Sequence, residues 1–334
     1  MKTDLLFGMN VHRAGYESYP AADLEKNIDA CKEMGLDIVR FNQSCGIGNV
    51  DAIEEVKRVS DLCHTRGMKL MLCVDNNFYS NDEETLEERE NRMAEHYRYL
   101  SSMLRDKVDY YQLFNEMDVA CMNGQIVNIF LPGKDGKEKG EYDCVRWERA
   151  IASVKGALRG MMTGYPEGKT CINFGWWHTA LIYELYEQGC RWDIVGLDWY
   201  EDCEAVSSIE AVMSDVSAHI PDCEFMICET NFWMNLHGRY SEEQKAALMN
   251  SETRDANQAK WVPEFVDKLI KINNPKLKAV IFYELMDEPA FEESHGSYHG
   301  ESHFGFIACD RKGQNRRPKP VFYSLQKKIK EIKG

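Results

Sequence analysis

Along the chain, short apolar runs alternate with longer segments in which apolar positions recur every three or four residues. The runs are Leu5–His12, Leu36–Asn42, Met68–Asp75, Asp109–Asp118, Thr170–His178, Trp192–Tyr200, Glu224–Trp233 and Lys278–Pro289. Each is a core of four to eight apolar and β-branched or aromatic residues that ends in polar ones, the pattern of a buried strand reaching its mouth. The segments between and after them, Asp23–Gly35, Val50–Gly67, Thr85–Lys107, Tyr142–Thr163, Ala180–Gly189, Ala205–His219, Glu242–Asn273 and Lys319–Lys333, predict amphipathic helices, several closed by glycine. Strand and helix in strict alternation predict a parallel sheet with crossover helices. Eight units succeed one another without a linker or low-complexity break, and no Gly-x-Gly-x-x-Gly comes after the first strand. The expectation is therefore an α/β protein, a closed (β/α)8 TIM barrel with residues 1–334 as a single catalytic domain, rather than an open doubly wound sheet.

The polar residues of the apolar runs gather at their C-terminal ends: Asn10 and His12, Arg40 and Asn42, Asp75, Asn115 and Glu116, His178, Asp198 and Tyr200, Glu229, Glu284. In a barrel these ends converge on one face, where catalytic groups sit. Glu116 and Glu229 carry the most information. A carboxylate at the tip of a core strand costs desolvation energy and returns no packing, so two of them, three strand steps apart, point to paired acid/base and nucleophilic chemistry at a sugar's anomeric carbon. A separation of about 5 to 5.5 Å would make the pair a retaining glycosidase, and a wider one an inverting enzyme with an activated water. Two structural acids held by salt bridges would give the same pattern in sequence.

Composition narrows the partners. A formal net charge of -15 repels polyphosphate and argues against nucleic acid, while a neutral or cationic substrate fits. No stretch approaches the apolar length of a membrane span, and the first residues lack a basic region followed by an apolar segment and cleavage site. Twelve cysteines occur singly, with Cys31, Cys63, Cys73, Cys171 and Cys228 inside predicted elements as small hydrophobes. A reducing cytoplasm is the expectation, or secretion if a leader has been trimmed. Oligomeric state leaves no trace in the sequence.

Further candidates surround the two acids. Arg40 is either the partner of an ionised Glu229 or an ordinary buried ion-pair residue. Asn115 is a donor to a sugar hydroxyl or a strand-end cap, and Tyr200 a donor to the nucleophile or to backbone. His178 contacts substrate, orients the acid or is structural. Asn10 and Glu284 stand at the ends of the first and eighth strands. Of Trp176, Trp177, Trp199 and Trp233, two are expected to offer an indole face to a pyranose ring, with Trp177 and Trp233 preferred for lying just past their strands. Glu284, Asp287 and Glu288 precede His295, His299 and His303 in a Gly- and Ser-rich loop. That grouping reads either as a metal cluster or, preferably, as a solvated loop or sugar-contacting lid, because no regular spacing holds the histidines.

With Asn115-Glu116 closing the fourth strand and Glu229 closing the seventh, the chain resembles the clan A glycoside hydrolases over its whole length. The resemblance implies Glu116 as acid/base, Glu229 as nucleophile, and Arg40, His178 and Tyr200 as substrate-binding or nucleophile-supporting groups. Strand eight departs from the cellulase-like family 5, which often places tryptophan where this chain has Tyr283-Glu284, and its Phe-Tyr-Glu-Leu-Met-Asp-Glu-Pro segment looks more like families 39 or 53. The function expected on these grounds is that of a retaining β-glycosidase acting on oligosaccharides, with no cofactor. The rival readings are a metal-dependent sugar isomerase or epimerase on the same barrel, and a catalytically silent carbohydrate-binding barrel.

Overall fold

The computed structural model describes residues 4–16, 18–74, 83–122, 136–200, 208–232, 243, 247, 250–291 and 300–334. Eight strands, β1 Leu6–His12, β2 Ile38–Asn42, β3 Lys69–Cys73, β4 Tyr110–Gln112, β5 Lys169–Gly175, β6 Ile194–Asp198, β7 Glu224–Glu229 and β8 Leu277–Phe282, pair in parallel in sequence order. The barrel closes where Leu6 to Met9 pair with Ala279 to Phe282. The expected TIM barrel is what forms. Helices α1 Leu24–Glu33, α2 Val50–Thr65, α3 Leu86–Met103, α5 Cys144–Gly164, α6 Ala180–Glu187, α7 Ile209–His219, α8 Ser251–Ile272 and α9 Pro320–Lys333 occupy the predicted crossover segments. A short α4, Met117–Cys121, was not expected. No described helix is long and apolar enough to cross a membrane.

Strand periodicity divides the core in two. Outward side chains meet the helices in one continuous apolar layer, while Ile38, Met71, Cys171, Ile194, Met226, Cys228, Ala279 and Ile281 fill the barrel's interior. Gly8 is part of that filling: a Cβ there would lie 2.6 Å from the Ile38 side chain. One step further along each strand the inward positions turn polar, with Asn10, Arg40, Gln112, Asn173 and Asp198 buried above the apolar plug. The described cysteines are free thiols, buried except Cys144 and Cys309.

The helical shell is close-fitting on one side. At Gly156 and Gly160 of α5 a Cβ would come within 2.2 Å of the Glu90 carbonyl oxygen and 2.4 Å of that of Ala94, so glycine sets how near α3 can lie. After β8 the chain makes a 3-10 turn at Gly300–His303 and a small antiparallel pair, β9 Ile307–Ala308 with β10 Arg317–Pro318, before α9 seals the barrel.

Candidate active site

Arg40 organises the polar layer. It projects from the middle of β2, its side chain is wholly buried, and each arm of its fork has a partner on a different strand or strand end. Its Nε donates to Gln112 Oε1 at 2.8 Å and Nη1 to Asn10 Oδ1 at 2.7 Å. Nη2 donates to Asn115 Oδ1 at 2.7 Å and forms an ion pair with Glu229 Oε1 at 2.9 Å. A planar five-donor cation suits this task and a lysine would not.

Glu229 reaches the mouth through an irregularity in the sheet. Ile227 pairs with Leu197, but Asp198 pairs with Glu229, so one extra residue is taken up in β7. Cys228 faces the barrel interior, 3.8 Å from Cys171, and strict alternation would turn Glu229 outward. The bulge brings both inward. Glu229 Oε2 accepts a hydrogen bond from Tyr200 at 3.2 Å, completing a carboxylate held by one cation and one phenol.

Glu116 arrives by a different device. β4 ends at Gln112, and the chain turns through Glu116 in the left-handed region, φ 42° and ψ 51°, before α4 begins. Such a conformation costs a non-glycine residue on the order of 1 kcal/mol and collects at functional sites. Its backbone N–H donates to Asn173 Oδ1 at 3.2 Å, and its carboxylate rests beside Gly175, where a Cβ would lie 3.3 Å from Oε1. Burial first, then the charges of Glu229 and Asp118, push its carboxyl well above the usual range. Burial and neighbouring charge thus favour its protonated form.

Two further acids complete the electrostatics. Asp198, fully buried on β6, accepts from Asn173 Nδ2 at 2.5 Å, and burial followed by Glu229 and Glu116 raises its carboxyl well above normal. Glu301, half-buried in the turn after β8, is pushed up to about 7 by burial and by Glu229. Sequence reasoning assigns no role to Asp198, Gln112, Asn173 or Glu301. The first three carry a signal, a polar residue at an inward strand position, whereas Glu301 has none.

The remaining candidates separate. Asn115 Oδ1 is a shared acceptor for Arg40, Gln112 and Asn173, so its amide NH2 is directed elsewhere. His178 is buried, with Nδ1 2.8 Å from Asp118 Oδ2, which also accepts from Gly175 N–H. It belongs to the support of the Glu116 turn.

Trp177, expected at the mouth, instead lies in the layer between sheet and helices with the Lys137 ammonium 4.1 Å over its ring. The residue before it, Trp176, takes the mouth position. Its φ of 44° reverses the chain, and its half-buried ring lies 6.2 Å from Tyr200, which stacks on Phe304. Trp199 is core.

Glu284 also differs from expectation: it is wholly buried against His12 and Tyr19 in a separate cluster. Asp287 pairs with Lys319 at 3.0 Å. His303, whose carbonyl accepts from Lys319, is pushed down to about 3 by burial and by Arg254 and Lys319. Asp75, Trp233, His295 and His299 lie outside the described residues.

No family model and no curated protein matches the sequence. Solved structures do match. The family 1 β-glucosidase of Thermotoga maritima superimposes with a TM-score of 0.68 at 15% identity, covering 99% of both chains. A β-glucosidase from Thermotoga maritima in complex with deoxynojirimycin gives 0.70 at 15% identity and the same coverage. A β-glycosidase, BGL167, gives 0.70 at 14% identity, covering 99% of this chain and 97% of its own. What the chain shares with them at such identity is the (β/α)8 fold.

Proposed function

We propose that the protein is a retaining β-glycoside hydrolase that cleaves β-linked oligosaccharides by double displacement. The observation that carries this reading is the unequal treatment of two glutamates at the ends of β4 and β7. Glu229 is fixed by Arg40 and Tyr200, while Glu116 is biased by burial and neighbouring charge toward holding its proton. A nucleophile and a general acid need opposite environments of this kind.

In the first step Glu229 attacks the anomeric carbon while Glu116 protonates the departing oxygen, leaving a covalent glycosyl-enzyme and a released alcohol. In the second, the Glu116 carboxylate takes a proton from water, and the resulting hydroxide equivalent displaces Glu229. The sugar leaves with its original anomeric configuration. The Asn115 NH2 is the donor to the sugar hydroxyl next to the reacting carbon, where a bond that strengthens in the transition state lowers the barrier. Trp176, with Tyr200 and Phe304, is the aromatic wall for the pyranose ring. The fold shared with β-glucosidases, one of them solved with deoxynojirimycin, supports the reading.

The test is a panel of aryl β-glycosides and β-linked oligosaccharides. Turnover is expected with the wild type and not with Glu229→Ala. Azide is expected to restore Glu229→Ala as an inverted glycosyl azide, and Glu116→Ala as a retained one. Unchanged turnover in Glu229→Ala would refute the assignment.

A further inference from the structure

A buried carboxylate that the two-glutamate mechanism leaves unused lies directly behind the proposed acid. Asp118 closes the fourth apolar run, two residues after Glu116, and its buried side chain sits in the first turn of α4. Its Oδ2 is fixed from β5 and the turn that follows. The Gly175 N–H donates to that oxygen at 3.1 Å, and His178 Nδ1 lies 2.8 Å away. His178 is itself buried and turned back on the strand, its N–H donating to the Gly175 carbonyl at 3.0 Å. Gly136 covers the imidazole: a Cβ there would stand 2.2 Å from His178 Cδ2, and the Tyr142 hydroxyl donates to the Gly136 carbonyl at 2.6 Å.

Asp118 and Glu116 look onto the same point. A Cβ added to Gly175 would lie 3.7 Å from Asp118 Oδ2 and 3.3 Å from Glu116 Oε1, so the two oxygens stand no more than about 7 Å apart. An ionised carboxylate only accepts, so the imidazole proton sits on Nδ1 and the pair keeps a negative charge while His178 is neutral. Asp118 Oδ1 is buried with no hydrogen-bond partner among the described residues, so that charge is only partly offset. At about 7 Å and an effective dielectric of about 20, one carboxylate raises the titration of another by more than one pH unit.

The other groups facing Glu116 are Glu229 on β7, Asp198 on β6 with Tyr200 beyond it, Glu301 in the turn after β8, and the Arg40 cation on β2. Asp118 itself also acts on the Cys121 thiol at the end of α4. Glu229 is answered by Arg40 and gives up its charge when it bonds to a sugar. Asp118 is outside that exchange and keeps its charge through both steps.

We propose that Asp118, oriented by His178, is the positioning residue of the acid/base. Its fixed charge behind Gly175 keeps Glu116 protonated until the leaving oxygen takes the proton, and then makes the Glu116 carboxylate a stronger base toward water. The catalytic consequence rests on the glycosidase reading; the electrostatic bias does not.

Asp118→Asn removes the charge and keeps a carbonyl oxygen to accept from Gly175 and His178, with Asp118→Ser in its place if the amide variant does not fold. Protein labelled with ¹³C at its glutamate carboxyls is titrated by NMR, the Glu116 resonance being the one missing from Glu116→Gln. The wild-type resonance is expected to titrate above the ordinary glutamate range, and in Asp118→Asn its midpoint is expected at least about 0.5 pH unit lower. On aryl β-glycosides the basic limb of kcat/KM is expected to move down by the same amount, because removing a negative charge releases the Glu116 proton at lower pH. An Asp118 that only held the turn together would lower kcat/KM at every pH and leave both midpoints in place. Two results overturn the proposal: a wild-type Glu116 midpoint in the ordinary range, or a shift smaller than about 0.5 pH unit in a folded Asp118 variant. A resonance that shifts in a protein with no turnover of any β-glycoside sinks the glycosidase reading and leaves the bias standing; turnover with both midpoints unmoved does the reverse.

Discussion

Arg40→Lys keeps a cation under the proposed nucleophile and removes the fork. Arg40 reaches Glu229 and Asn115 with a single nitrogen, Nη2, so an ammonium placed there can serve both. It cannot also reach Asn10 and Gln112, which Arg40 serves through Nη1 and Nε. Two buried acceptors therefore lose a charged donor, at about 1–3 kcal/mol each, for a total of roughly 2–6 kcal/mol. Against a stability of about 5–15 kcal/mol, the variant still folds but is measurably weakened. Glu229 keeps its partner but loses the rigid frame around it, and misplacement of a nucleophile by a fraction of an ångström costs about 10- to 100-fold in kcat/KM. Urea denaturation and aryl-glycoside kinetics on the same preparation check both numbers. A loss below about 0.5 kcal/mol with kcat/KM within twofold of wild type would refute the bracing role.

Three other outcomes are expected of the site. Glu116 must donate a proton, and its carboxyl is raised, so kcat/KM is expected to fall as pH rises through that raised value; Glu116→Gln, assayed on substrates with activated leaving groups, is expected to lose this basic limb. Asp198 carries a raised carboxyl in the folded state, so the wild type loses stability as pH climbs from the unfolded carboxylate range toward the folded value. Asp198→Asn is expected to match wild type near pH 4 and exceed it near pH 8 by about 1.4 kcal/mol or more, read by thermal denaturation. Tyr200→Phe takes a donor from the buried Glu229 Oε2, so stability is expected to fall by about 1–1.5 kcal/mol and kcat/KM by about tenfold.

The barrel was legible because each strand is a compact apolar run and each helix a longer periodic one, signals that survive local irregularity. Of the predicted helix starts, Ala205 lies outside the described residues, with α7 running from Ile209, and ahead of α8 at Ser251 the described Glu243 and Ala247 are helical. The site was legible wherever a polar residue ends a strand, as with Asn115, Glu116 and Glu229.

Local geometry hid the rest. Trp176 and Trp177 are indistinguishable in sequence, and only the left-handed backbone at Trp176 decides which ring meets the mouth. The bulge that brings Glu229 inward beside Cys228 has no mark in the apolar pattern. His12 and Glu284 both stand at strand ends in the sequence, but their contact depends on the closure of β1 against β8, a property of the whole barrel.

The most direct test of the central claim is covalent trapping. Incubation with activated 2-deoxy-2-fluoro β-glycosides slows breakdown of the glycosyl-enzyme, and peptide mass spectrometry then locates the sugar. The account predicts one sugar per chain, esterified to Glu229, with label absent in Glu229→Ala. A sugar on Glu116, Asp198 or Glu301, or hydrolysis with inversion and no trapped ester, would contradict it.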